Sequence, residues 1–311
     1  MQTILGSGGS IGRELAKTLR QYTNEIKLVA RNPEKVNPTD ILFPADLTQK
    51  DAVLNAVKGS TIVYVTIGFP YSHKEWREKW PNFITHVIYA CQKYEAKLVF
   101  FDNVYMYDKD YLSPMTETTR VNPPSKKGEV RSALAHMVMD QVDQGKLTAL
   151  IARSADFYGP DIEGNSMLTE TVLKPLSQEK KANWIGPLHY KHSFTYTPDA
   201  GKATAILGNT PDAYGQIWHL PTAGNPLTGK QWIEAIAAEM GVKAKYRPTP
   251  KFIFRAFGLV QPIMKELVEM FYQYDRDYIF DSQKFEEHFD FEPTPYHTGI
   301  KATVANFMEN K

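Results

Sequence analysis

Leu5-Gly6-Ser7-Gly8-Gly9-Ser10-Ile11-Gly12 stands between a short apolar run, Thr3 to Leu5, and a helical pattern from Ile11 to Tyr22. Glycines at 6, 9 and 12 permit a tight turn, close approach of the backbone to a bound group, and close packing of the helix. The helix opens with backbone N–H groups that have no partner inside the helix, an arrangement suited to phosphate. Glycines alone would equally suit a flexible turn. The strand before and the helix after decide for a nucleotide-binding one.

Outward from the turn the alternation continues. The runs Ile26 to Ala30, Ile41 to Phe43, Thr61 to Ile67, Lys97 to Phe101 and Leu147 to Ala152 read as strands. Patterns at Asp51 to Val57, Asn82 to Tyr94 and Val130 to Val142 read as helices. This order builds βαβ units with right-handed crossovers, hence an α/β, Rossmann-type doubly wound parallel sheet. Beyond Gly159-Pro160, prolines, aromatics and shorter elements mix. The expected organisation is an NAD(P)-binding domain over 1–155 and a smaller C-terminal part over 156–311, mainly substrate-binding and interleaved with late elements of the sheet. No repeat or low-complexity tract is visible.

Lys plus Arg number 36 against 35 for Asp plus Glu, a net charge of +1, and no run of like charge stands out. This balance predicts no electrostatic footprint for nucleic acid or an anionic membrane, and a small molecule as partner. No apolar stretch approaches the roughly 20 residues needed to cross a bilayer. The opening Met1 to Gly6 leaves no room for a signal sequence, so a cytoplasmic product is expected. The single cysteine, Cys91, lies in the apolar pattern Phe83, Ile84, Val87, Ile88, which predicts a buried, inert thiol and a reducing compartment. No clustering of His, Cys and carboxylates suggests a metal.

At this point the chain resembles the extended short-chain dehydrogenase/reductase family, also called the NAD-dependent epimerase/dehydratase family. The matching features are the glycine turn, Asp46-Leu47 after the third strand, Val63 to Gly68 as the fourth, Asn103 to Asp108, Arg153 to Pro160, and Tyr278-Ile279-Phe280-Asp281. The resemblance implies that Gly6, Ser7, Gly9, Ser10, Ile11, Gly12, Asp46, Leu47 and Ile67 hold the dinucleotide, with Asp46 facing the adenine ring. A solvated turn aspartate is the competing reading of Asp46. The second strand ends in Arg31-Asn32, where NAD-selective folds of this kind usually place an acid. Arg31 suits a 2′-phosphate, making NADP the preferred cofactor and NAD the alternative, unless Arg31 is simply an exposed strand-end arginine.

Active members of the family surround the nicotinamide with a Ser or Thr and a Tyr-x-x-x-Lys pair, the cation lowering the phenol's pKa. Aligning Met106-Tyr107-Asp108 with the family's Val-Tyr-Gly places Asn103 on the Ser/Thr, Lys127 on the tyrosine and Arg131 on the lysine. Lys127 and Arg131, four apart, share one helix face. Arg131 can bind ribose hydroxyls. It cannot exchange a proton at useful pH, but its charge beside Lys127 favours the neutral amine, which makes Lys127 a candidate acid or base. Asn103 can polarise a carbonyl. Against this stand a solvated helical face for Lys127 and Arg131 and a turn role for Asn103. Tyr105, Tyr107 and Tyr158 are spare phenols that do not match the family's tyrosine, and Tyr105 is retained as a substrate contact.

Asp156 falls where many members carry a substrate-binding Asn, favouring a hydroxyl or amine donor, with Phe157 beside it as substrate contact or core. Trp184, His189, Tyr190, His192, Phe194 and Tyr196 wall a substrate cavity or pack on the core. Two functions follow. One is an NADP-linked oxidoreductase or epimerase/dehydratase-like enzyme acting on a small carbonyl or hydroxyl compound. The other is a non-enzymatic NADP(H) sensor that lost the triad. The helices at Asn82 to Tyr94 and Val130 to Val142 are candidate homodimer surfaces.

Overall fold

A computed structural model describes residues 1–162, 166–258 and 260–310. In chain order its elements are β1 (Gln2–Leu5), α1 (Ser10–Leu19), β2 (Ile26–Ala30), β3 (Ile41–Pro44), α2 (Lys50–Val57), β4 (Ile62–Val65), α3 (His73–Tyr94), β5 (Lys97–Asp102), α4 (Lys126–Asp143) and β6 (Ala149–Arg153). There follow β7 (Asp156–Tyr158), α5 (Lys174–Ser177), β8 (Ala182–Ile185), β9 (Phe194–Tyr196), α6 (Thr197–Asn209) and β10 (Ile217–His219). The chain ends with α7 (Gly229–Glu239), β11 (Tyr246–Thr249), α8 (Lys251–Phe257), α9 (Pro262–Met270), α10 (Gln283–Phe289) and α11 (Tyr296–Glu309).

Contacts divide the chain into two units, the first made of 1–106, 127–154 and 198–220, the second of 107–126, 155–197 and 221–311. In the first unit seven parallel strands form one sheet in the order β10-β6-β5-β4-β1-β2-β3, the Rossmann-type arrangement. The inner strands β1 and β4 are buried along their whole length, as a sheet covered on both faces requires; β4 is an unbroken apolar run, and in β1 the buried Gln2 and Thr3 are satisfied by Asn209 and Ser60. Val65, Leu98 and Ile151 of the sheet join Val53 of α2, Phe83 and Val87 of α3 and Leu134 of α4 in a continuous core.

Helix α3 begins nine residues before the expected Asn82 and carries Pro81 in its interior. A proline there costs about 3 kcal/mol. The apolar spacing Trp76, Trp80, Phe83, Ile84, Val87 continues unbroken across it, and burying both tryptophans outweighs that cost. Cys91, on the same helix, is buried, and desolvation pushes its thiol up to about 12, so it is inert as expected.

The second unit contains two small parallel pairs, β7 with β9 and β8 with β11. Its core gathers Tyr158, Trp184, Phe194, Trp232 of α7 and Ile300 of α11. Trp184 and Phe194 therefore pack on the core rather than wall a cavity: the two rings meet edge-on, and Phe194 meets Trp232 in the same way. No described helix is long and apolar enough to cross a membrane.

Candidate functional site

The glycine turn has the geometry its spacing implies. Gly6 takes φ +101° and approaches β4's exit so closely that a Cβ would lie 2.4 Å from the Ile67 backbone. At Gly12 a Cβ would stand 2.8 Å from the Gly6 carbonyl oxygen and the Ser7 Cα, so α1 can reach the turn only without a side chain there. Gly9, the N-cap of α1, has ordinary extended angles, and a Cβ there would make only an ordinary contact, 3.9 Å from the Gly6 carbonyl oxygen. No side chain caps α1, its first turn holds no acid, and the Ser7 hydroxyl is buried without a hydrogen-bond partner. An uncapped helix start, an open cradle at Gly9 and an unsatisfied hydroxyl together fit a dinucleotide's phosphates.

The fold itself forbids a side chain at Gly6 and Gly12, whereas Gly9 has room for one, so a substitution at Gly9 tests the turn as a binding site without disturbing the packing. Gly9→Val should leave the thermal unfolding midpoint nearly unchanged and weaken NADPH binding at least about tenfold, since its side chain fills the phosphate's approach. Unchanged affinity in calorimetry would remove the turn from consideration.

Asp46 is exposed, and the Thr48 backbone N–H and hydroxyl donate to its Oδ1 at 3.0 and 2.8 Å. These bonds hold its carboxyl below the usual range, the Arg31 charge adding a smaller effect. Arg31 lies exposed just beyond β2, and Leu47 is buried in the core.

Lys127 and Arg131 are not on a solvated face. Both are buried, Lys127 completely, with its Nζ 4.7 Å from the centre of the Tyr71 ring. Arg131 donates from Nε to Asp102 Oδ1 at 2.6 Å and from Nη2 to the Phe101 carbonyl at 3.2 Å. Its guanidinium lies 4.5 Å from the centre of Trp80 and 5.0 Å from that of Phe100. Arg153 reaches the other oxygen of Asp102 at 3.4 Å. The carboxylate at the end of β5 thus anchors the start of α4 and the end of β6, and the aromatic walls keep water from the pair. Sequence spacing does not single out Asp102, because its partners lie 29 and 51 residues away.

Asn103 follows directly and is half-buried; its Oδ1 accepts from the Tyr105 backbone N–H at 3.0 Å, the turn role expected as its alternative. Its backbone N–H donates to Asp102 Oδ1 at 2.8 Å, while its side-chain Nδ2 makes no hydrogen bond among the described residues and is the end able to donate to a carbonyl oxygen. Tyr105 stacks on Trp76, ring centres 6.2 Å apart, whereas Tyr107 and Tyr158 are buried.

In the second unit, Asp156 Oδ2 accepts from His192 Nε2 at 3.0 Å and from the Tyr274 hydroxyl at 2.9 Å. His192 is sandwiched between Tyr274 and Tyr278, ring centres 4.7 and 4.3 Å away. Asp156 Oδ1 makes no hydrogen bond among the described residues, so the carboxylate is fixed by one oxygen and offers the other. Phe157 is half-buried, and its carbonyl accepts from the Ser166 hydroxyl.

Residues 3–220 match a family described as the NAD dependent epimerase/dehydratase family. Among solved structures, the UDP-glucose 4-epimerase of Thermus thermophilus, a complex with NAD, is similar with 18% identity over 99% of each chain and a TM-score of 0.78. The dTDP-glucose 4,6-dehydratase of Bacillus anthracis, also with NAD, shares 14% over 100% of this chain and 97% of its own, with a TM-score of 0.81. Pal from Bacillus thuringiensis shares 18% over the whole of both chains, with a TM-score of 0.80. No curated protein matches the chain.

Proposed function

The chain belongs to the NAD dependent epimerase/dehydratase family, and from that premise we propose that it is an NADP(H)-dependent oxidoreductase, or a relative with epimerase- or dehydratase-type chemistry, acting on a small carbonyl or hydroxyl compound. The observation that supports this most is the burial of Lys127, completely, and of Arg131 four residues along the same helix. A helix face that merely met water would carry neither residue inside.

When bound, the dinucleotide supplies a hydride donor or acceptor at its nicotinamide. Gly6, Ser7, Gly9, Ser10, Ile11 and Gly12 hold its pyrophosphate. Arg31 meets the 2′-phosphate, and Asp46, Leu47 and Ile67 complete its seat. Lys127 exchanges a proton with the substrate oxygen while the Asn103 amide holds it. Arg131 fixes the helix that carries Lys127. Asp156 Oδ1 accepts from a substrate hydroxyl or amine, and Phe157 and Tyr105 add apolar contacts. A cytoplasmic location and a homodimer built on α3 and α4 complete the reading and rest on the sequence.

NADPH should bind more tightly than NADH by about ten- to a hundredfold, the worth of one well-placed charged contact, and Arg31→Ala should erase the difference. Equal affinities in the native chain would reverse the cofactor assignment. The function itself is tested by following NADPH oxidation across a panel of aldehydes, ketones and keto sugars. One observation favours a second reading, a cofactor sensor without turnover: the Arg131 guanidinium is committed to Asp102 and the Phe101 carbonyl, a static role. Tight NADPH binding with no turnover on any compound of the panel would select it.

A further inference from the structure

The near-zero net charge hides a strong local segregation. From Met240 to Lys265 the sequence carries six cations, Lys243, Lys245, Arg247, Lys251, Arg255 and Lys265, and no carboxylate. None of the six forms an ion pair among the described residues; Lys245 and Arg247 meet only a carbonyl and an amide oxygen, and Lys251 a ring. The nearest following acid, Glu266, is turned inward and only 7% exposed. A pocket of about 420 Å³ beside β11 adds Lys180 and Lys181, and the carboxylate on its wall, Glu170, is paired with Lys174.

The same stretch holds an unusual concentration of exposed apolar side chains. Of the eleven large hydrophobic residues exposed among those described, four lie within 252–263: Phe252, Phe257, Val260 and Ile263, at 66, 54, 82 and 45% exposure. They sit on α8, on α9 and on the link between them, two short helices packed against each other. On α8 the outward residues Phe252, Arg255 and Ala256 follow helical spacing, while Phe254 faces inward onto Phe271. Exposed aromatic and aliphatic groups interspersed along one helix pair with cations that form no ion pair among the described residues are the pattern of an element that lies in a lipid interface, apolar groups among the acyl chains and cations at the headgroups.

We propose that the α8–α9 hairpin docks the protein on an anionic lipid bilayer, Phe252, Phe257, Val260 and Ile263 entering the interface and Lys251, Arg255 and Lys265 meeting lipid phosphates. The whole-chain balance, from which no membrane contact is expected, averages this segregation away. The charge complementarity selects a bilayer over a second copy of the chain, because two such faces would bring their cations together.

The test is sedimentation of the full chain with vesicles of phosphatidylglycerol and phosphatidylcholine in equal parts, compared with phosphatidylcholine alone. The chain should pellet with the first and not the second, and added salt should release it. Joint replacement Lys251→Gln, Arg255→Gln and Lys265→Gln should lower partitioning about a hundredfold, at roughly fivefold per cation. Val260→Asp should lower it independently, with circular dichroism and NADPH affinity unchanged in both variants. The proposal is overturned if the native chain stays in the supernatant at low salt, or if neither variant changes its partitioning. It is equally overturned if light scattering finds a dimer that Val260→Asp dissolves while vesicles go unbound.

Discussion

Lys127→Met should lower turnover about a hundred- to ten-thousandfold, the usual worth of a positioned acid or base, while leaving NADPH affinity within about threefold. Methionine keeps the bulk of the lysine stem in a fully buried position, and its sulfur suits the Tyr71 ring that Nζ now faces. The amine alone is removed. The loss should appear in kcat more than in KM, because proton transfer belongs to the chemical step. Full activity in the variant would eliminate Lys127 and turn attention to Tyr105, the half-buried phenol beside Asn103.

Asp102→Ala should have the largest effect on stability, about 3 to 5 kcal/mol, because removing one partner of a buried ion pair strands the charges that remain. Arg131 and Arg153 both lose the carboxylate, in a site walled by Trp80 and Phe100. Asp102→Asn keeps the volume and one acceptor and should fall between the native chain and the alanine variant. Urea unfolding followed by tryptophan fluorescence measures both variants. A loss below about 1 kcal/mol for the alanine variant would mean that water reaches the cluster and that Arg131 is not clamped.

The sheet is legible in the sequence because most of its inner strands carry apolar runs, Ile62–Val65 the clearest, and because Gly6 and Gly12 mark the turn where the backbone approaches this closely. The early start of α3 is not, since Pro81 resembles a boundary when the ring packing of Trp76 and Trp80 is unseen. Within the candidate site, alignment places Lys127 and Arg131, but only the fold shows that both are interior. Asp102 and Tyr71 escape a sequence reading because their partners are distant along the chain. The same holds for His192 and Tyr274, which converge on Asp156 from 36 and 118 residues away. The charge segregation over 240–265 is present in the sequence, but a sum over the whole chain cancels it.

Cys91, the chain's single sulfhydryl, sits sealed in α3, in the core of the unit that carries the glycine turn. With its proton held to about pH 12, it stays silent toward alkylating reagents while that core is shut. Its labelling rate therefore clocks the opening of this unit alone, without any introduced probe. Saturating dinucleotide, by stabilising the closed form through mass action, should slow that clock, which turns one buried atom into an occupancy meter usable before any substrate is known.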